Sequence, residues 1–345
     1  MENYVRSALN SGGPRRRAVG LLAGILASTT PAPAEAAQQD ASYQEAAAPA
    51  SPFLFKAGPS ASVLVPRAER LVYKVGVNLT VWESNAGTVT QTCTVKEQAV
   101  PLMLADAFPH GGEAASIKLE ADGGYLGYKL ESTLETRLLP QDWPRIYYQQ
   151  SSKSSKGKRQ REVMLGVRDG DFVSSYRGDT SKGAPAGTRI FRPARERKVP
   201  EGTLDMLTAV LMARTLIREE ADEFSFPLID TDRLWLLHLR RGEAKRMETG
   251  AGEFDVVEVV LDPEPYPGEP VDEEKKEKFA GVFGIQGSIH LWVERKTGVA
   301  VRIQGTLPIG GEDGLFKVGI DVLLDSFSGT PPGFAPLPKT RKQKE

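Results

Sequence analysis

Residues 124–138 read GYLGYKLESTLETRL. Taken alternately, Leu126, Tyr128, Leu130, Ser132, Leu134, Thr136 and Leu138 fall on one side, and Tyr125, Gly127, Lys129, Glu131, Thr133, Glu135 and Arg137 on the other. A period of two with one apolar side marks a strand that buries one face. About thirteen residues at roughly 3.3 Å each span some 40 Å, a length at which a strand twists and coils instead of lying flat. The stretch therefore predicts a mainly β fold: a strongly curved antiparallel sheet or partly open β-barrel, with the Leu126 to Leu138 side looking inward.

The flanking sequence supplies the remaining strands. ERLVYKVGVNLTVW (69–82) alternates, SNAG (84–87) is expected to turn the chain, and TVTQTCTVKE returns. ASIKLEA is expected to pair with the 124–138 stretch across Asp122-Gly123-Gly124, and RIYYQQ with REVMLGV across a basic tip, SSKSSKGKRQ. DFVSSY continues the meander. Later strands are EFSFPLI, RLWLLHLRRG, EAKRMET and EFDVVEVVLD. FGIQGSIHLWV then places Phe283, Ile285, Ile289, Leu291 and Val293 on one face, and VAVRIQGTLPI and GLFKVGIDVLLDSF close the set.

One stretch reads as helix, TLDMLTAVLMARTLIREE (203–220), with Thr203 as cap and Asp205 at the positive end of the dipole. Its apolar residues Leu204, Met206, Leu207, Val210, Leu211, Met212, Leu216 and Ile217 go most of the way round. A helix of that kind is enclosed by other elements, here by the sheet.

The ends carry different signals. Arg15, Arg16 and Arg17 precede AVGLLAGILA (18–27) and small-residue triplets ending at Ala36, the pattern of a cleaved signal peptide over 1–36. The route is general secretion, with twin-arginine export as the alternative. Removing that segment takes the formal charge from -1 to about -3. Residues 37–66 form an Ala/Pro-rich leader, 67–330 one β-rich domain, 263–278 a charged insertion in it, and 331–345 a disordered tail. No later window is apolar enough to span a bilayer, and the balance of 44 basic and 45 acidic residues argues against a nucleic-acid coat. The expected location is periplasmic or secreted.

No chemistry-bearing motif stands out. The single cysteine, Cys93, shares a face with Val89, Gln91 and Val95 and is expected to be a buried thiol. His110, His238 and His290 lack partners at metal-ligand spacing, so no metal is expected, and no cofactor either. There is no G-x-S-x-G elbow, and Asp205, Asp255, Glu258, Asp321 and Asp325 read as capping and surface carboxylates. No catalytic residue is assigned.

The strand ERLVYKVGVNLTVWESNAG, the helix LDMLTAVLMARTL, the segment TGAGEFDVVEV and the closing LWVERKTGVAVRIQGTLPIG occur in an order that resembles a bacterial exported family called domain of unknown function 3108, across roughly residues 67–328. That resemblance implies a secreted or periplasmic, β-rich protein without an established activity. The family's curved sheet around a helix looks broadly similar to periplasmic lipoprotein carriers, which by analogy implies handling of apolar ligands.

The sequence reading is an envelope protein that binds an apolar ligand, a lipid or a lipoprotein acyl chain, without catalysing a reaction. The lining residues would be Tyr128, Leu130, Leu134, Met206, Leu207, Val210 and Leu211. Lys153, Lys156, Lys158, Arg159 and Arg161, with Arg192, Arg195, Arg197 and Lys198 before the helix, would contact an anionic partner, lipid head groups or an acidic protein. The alternative is an envelope interaction or assembly factor whose apolar face is plain core, and a hydrolase is a distant third.

Overall fold

The computed structural model describes residues 66, 68–79, 82–97, 113–125, 128–138, 146–154, 157–179, 192–269, 279, 281–309 and 316–329. All of them belong to one compact unit. Fourteen strands are described: β1 (Ala68–Leu79), β2 (Trp82–Glu97), β3 (Glu113–Tyr125), β4 (Tyr128–Leu138), β5 (Ile146–Ser154), β6 (Gly157–Arg168), β7 (Asp171–Gly178), β8 (Arg195–Lys198), β9 (Glu223–Asp230), β10 (Arg233–Thr249), β11 (Gly252–Pro265), β12 (Gln286–Glu294), β13 (Ala300–Ile309) and β14 (Phe316–Ser328). One helix, α1 (Met206–Arg218), lies between β8 and β9.

The strands form a single sheet in the order β8-β7-β6-β5-β4-β3-β2-β1-β14-β13-β12-β11-β10-β9. Two meanders, β1 to β8 and β9 to β14, are joined where β1 pairs with β14, and each ladder is antiparallel. The chain leaves the sheet at one edge, β8, and re-enters at the other, β9, with α1 as the connection. That path brings the two edges toward each other. Leu204, just before α1, donates its N–H to Pro227 O at 2.9 Å and accepts from Ile229 N at 2.8 Å, a single parallel bridge onto β9. Pro227 sits on that outer edge, where its missing N–H breaks no ladder bond. The sheet ladder itself is not closed.

Along β4 the burial alternates: Ser132, Leu134, Thr136 and Leu138 are buried while Glu131, Thr133, Glu135 and Arg137 are half-buried. From Ser132 to Leu138 the apolar side of the opening stretch faces inward, toward a core shared with β1–β3, β6, β7, α1 and β9–β14. The stretch is nevertheless two strands, because β3 runs to Tyr125 and pairs there with Tyr128 of β4. The reason lies in the glycines. A Cβ on Gly123 would stand 2.3 Å from Ala86 O and one on Gly87 2.3 Å from Asp122 O, so these residues permit close approach of β2 and β3 instead of making a turn.

Other boundaries move for similar reasons. SNAG lies inside β2, where a bulge opposite Val75 and Gly76 absorbs one residue. The expected basic tip is mostly strand: β5 runs to Ser154, β6 starts at Gly157, and Lys153 stands opposite Lys158. RLWLLHLRRG and EAKRMET are one 17-residue strand, β10, with a bulge between Arg241 and Ala244. β12 begins at Gln286, so Ile285 is not in a strand. It follows a 3-10 turn, Val282–Gly284, and with Phe279 it is buried against the sheet. The first part of the 263–278 segment is also structural, since Pro263–Pro265 complete β11; residues 270–278 lie outside the described residues.

The helix is shorter than expected and is capped by Asp205, not Thr203. Asp205 Oδ1 accepts from Thr208 N at 2.8 Å, whereas Thr203 Oγ1 donates to Pro200 O at 2.6 Å. Because Leu204 is held in its bridge to β9, the first residue free to adopt helical geometry comes after Asp205. Among the described residues no helix is long and apolar enough to cross a membrane.

Candidate functional site

The concave side of the sheet and α1 bring together most of the residues nominated from sequence. Leu134, Met206, Leu207 and Leu211 are at most 5% exposed and belong to the main core cluster, with Val210 half-buried against it. The side chains of Tyr128 and Leu130 lie outside the described residues. These contacts follow from the all-round apolar character of α1, which packs on β4, β9, β10 and β12.

Two polar anchors cross this apolar interior. At the helix N-terminus Thr136 Oγ1 of β4 donates to Asp205 Oδ2 at 2.7 Å. Burial raises the Asp205 carboxyl above its ordinary value, against the opposing pull of the hydrogen bonds from Thr208, Thr136 and Leu207. Further along, Arg214 Nη2 donates to Glu69 Oε1 of β1 at 2.7 Å, and Gln91 Nε2 of β2 donates to the same oxygen at 3.1 Å. The Cys93 thiol lies 3.7 Å from it. Burial, then the Glu69 charge, pushes that thiol up to about 12, and burial followed by Glu69 likewise raises Tyr73, whose hydroxyl donates to Ala300 O. Burial alone would lower Arg214; the charge and hydrogen bond of Glu69 more than offset it. Glu69 Oε2 is buried without a hydrogen-bond partner among the described residues.

The seam between the edges β8 and β9 is held by side chains. Arg195 pairs with Asp232, Arg161 Nη1 donates to Thr231 Oγ1 at 3.2 Å, and Arg197 Nη1 donates to both carboxylate oxygens of Glu269 at 2.9 and 3.0 Å. Glu269 also accepts from Leu234 N at 3.2 Å. Of the basic residues nominated for an anionic partner, Arg161, Arg195 and Arg197 thus lie at the seam, and Lys198 pairs with Asp171. The side chains of Lys153, Lys158 and Arg159, and the whole of Lys156, lie outside the described residues.

The outer side of the sheet is polar. Over β2–β4 a shallow groove of about 380 Å³ is lined by Thr88, Thr90, Glu120, Asp122, Glu131 and Thr133, among others. Over β10–β13 the ring of Trp292 is 6% exposed because it is covered: His290 stacks at 6.1 Å, Lys245 Nζ lies 4.7 Å above it and Arg302 Cζ 5.0 Å. Glu258 Oε1 holds His290 Nδ1 at 2.8 Å. On β9–β11, Ser225 Oγ lies 2.7 Å from His238 Nδ1, with Glu264 3.8 Å from Nε2. Ser225 and His238 are direct cross-strand partners, so the register alone explains their contact. Among the described residues no cluster of three or more His, Cys, Asp or Glu side chains could hold a metal ion.

Sequence reading did not find the Glu69–Arg214 pair, the seam or the cation-covered Trp292. Each joins residues far apart in the chain, and only an inward position for Glu69 in an otherwise apolar alternation (Glu69, Leu71, Tyr73) signalled that something would have to meet it.

Among the described residues, one antiparallel sheet with one α-helix on its inner side defines a mainly β architecture. The chain belongs to the family described as Protein of unknown function (DUF3108), whose model matches residues 114–316. The match starts in β3, so the opening strand ERLVYKVGVNLTVWESNAG lies outside it. No curated protein matches the chain. Among solved structures it is similar to one described as the crystal structure of a beta-barrel-like protein of domain of unknown function DUF1849 from Brucella abortus. The identity is 9% and the TM-score 0.47, with 76% of this chain and 98% of that one covered.

Proposed function

We propose that the protein is an exported binding protein, periplasmic or secreted, that takes an apolar acyl ligand between the concave sheet and α1 in a partly open barrel. The observation that carries this reading is the seam. Thirteen neighbouring strand pairs are held by ladders, whereas among the described residues the two ends of the sheet meet through one backbone bridge, from Leu204 ahead of α1 to Leu228 of β9, and through side-chain pairs from Arg161 of β6 and Arg195 and Arg197 of β8 to Thr231, Asp232 and Glu269. Breaking side-chain pairs at a partly exposed edge costs far less than breaking a ladder, which makes this the natural entry to an apolar interior. Leu134, Leu207 and Leu211 lie on that interior.

The experiment is organic extraction of protein purified from its native compartment, followed by mass spectrometry, together with uptake of a hydrocarbon fluorophore. Near-stoichiometric acyl lipid supports the reading; no lipid and no fluorophore uptake sinks it. A second reading, an interaction factor, is favoured by the outer patch over Trp292, where Lys245 and Arg302 cover the ring and offer cationic groups to an acidic partner. Under that reading Lys245→Glu abolishes capture of a partner, and the wild type carries no lipid.

A further inference from the structure

Arg197 carries buried hydrogen-bonding capacity that the described residues leave unused. It stands opposite Ser174 of β7 and two places before Val199. Ser174, Phe172 and Val199 are all buried, so this position belongs to the core-facing side of β8. Both of its contacts with Glu269 come from Nη1. Nε and Nη2 are shielded from solvent and have no acceptor among the described residues. That edge of a guanidinium is a side-on fork, the one Arg302 uses to grip both oxygens of Asp321. Next in the chain to Leu234, which Glu269 also binds, the indole Nε1 of Trp235 is likewise buried without an acceptor among the described residues. Buried polar groups are rarely left unpaired, and these are all donors. Whatever completes them must bring an acceptor.

The charges around the fork decide what kind. Arg195 pairs with Asp232 and Arg197 with Glu269, while Arg161 bonds Thr231 and Asp230 stands opposite Arg233. Glu269 already neutralises Arg197, so a free carboxylate on the fork would stand beside a second carboxylate at low dielectric and be repelled. A neutral carbonyl oxygen accepts from the fork without that penalty. The surroundings suit an attached hydrocarbon chain: Trp235 packs edge-on against Phe279 at 5.4 Å, and Leu204 and Leu228 are buried at the bridge. We propose that the Nε and Nη2 donors of Arg197 seat the carbonyl of a neutral acyl ester at the seam, beside Glu269. This rests on the carrier reading above and names its ligand class as the ester in preference to the free acid.

The test is a fluorescence titration at neutral pH with three probes: a fluorescent polyene fatty acid, its methyl ester, and a hydrocarbon polyene of similar length. The wild type is expected to bind the ester more tightly than the acid. Arg197→Lys keeps a charge opposite Glu269 but loses the fork, and should weaken ester binding roughly tenfold while leaving the hydrocarbon probe unaffected. Glu269→Gln keeps the fork and removes the competing charge, and should bring acid binding up to the level of the ester, which decides the matter even if Arg197→Lys does not fold. Equal loss of ester and hydrocarbon binding in Arg197→Lys, or acid bound tighter than ester by the wild type, overturns the inference and leaves the carrier reading standing. Binding of none of the three by the wild type sinks the carrier reading and the inference with it.

Discussion

Arg214 Nη2 lies 2.7 Å from Glu69 Oε1, tying α1 to the first strand across 145 positions of chain. Glu69 is fully buried in its side chain and Arg214 nearly so. A buried ion pair is weak evidence of stabilisation, since desolvation of both charges offsets their attraction. Its effect is orientational: only one rotation of α1 in the sheet brings Arg214 to Glu69, and an apolar helix has no other strong preference. Removing one partner is a different matter from removing both. Arg214→Met should cost about 3–5 kcal/mol because it strands a carboxylate whose Oε2 is already unpartnered. The double variant Glu69→Leu/Arg214→Met should recover most of that loss. Urea denaturation of the two singles and the double measures this, and a cost under about 1 kcal/mol for Arg214→Met would refute it.

Asp205 gives a pH-dependent expectation. Its folded-state pKa lies above 3.8, with burial as the cause, so the folded protein holds this proton more tightly than the unfolded chain. The contribution to stability is fully present below pH 3.8 and is lost as pH rises through the raised value. Asp205→Asn still caps the helix and carries no charge, so its stability relative to wild type should rise as pH climbs above 3.8. Asp205→Ala loses the cap and leaves the Thr136 hydroxyl unpaired, for about 2–4 kcal/mol. Denaturation midpoints of the three proteins between acid and neutral pH check both statements; a flat difference between Asp205→Asn and wild type contradicts the first.

Cys93 should resist modification. It is fully buried, and its thiol is pushed up to about 12 by burial and by Glu69. At pH 8 a disulfide-exchange reagent should label the native protein only as fast as it unfolds, and label urea-unfolded protein at once. Rapid labelling under native conditions, with no change in the unfolding rate, would be incompatible with this placement.

Ile285 and Gly305 fit together closely. A Cβ on Gly305 would come within 2.3 Å of Ile285 Cγ2, and a β-branched side chain has little freedom to move aside. Gly305→Ala should therefore destabilise by about 1–3 kcal/mol by pushing the 279–285 segment off the sheet. Ile285→Ala, costly alone, should restore part of the loss in the Gly305→Ala background. Simple additivity of the two changes in thermal or urea melts would argue against direct contact.

Much of the strand content was legible because alternation is a local property. The inward side of β4, the all-round apolar helix and the buried thiol each follow from residues within a few positions of one another. Boundaries were less legible where the cause was a neighbouring strand. Gly123 and Gly124 look like a turn until Gly87 is seen opposite, and Thr203 looks like a cap until Leu204 is seen pinned to β9.

The sequence by itself determined the mainly β character, the single enclosed helix and the direction in which the β4 face points, since periods of 2 and 3.6 and the avoidance of water by apolar side chains act within one segment. Only the tertiary structure decided the strand order, the pairing of Arg214 with Glu69, and the meeting of β8 with the β9–β10 end through Arg195, Arg197 and Glu269. Those depend on which edge the chain returns to after α1. Hydrogen bonds and charges between residues brought together by that return have no trace in local periodicity, because the partner's position is set by the path of the whole chain.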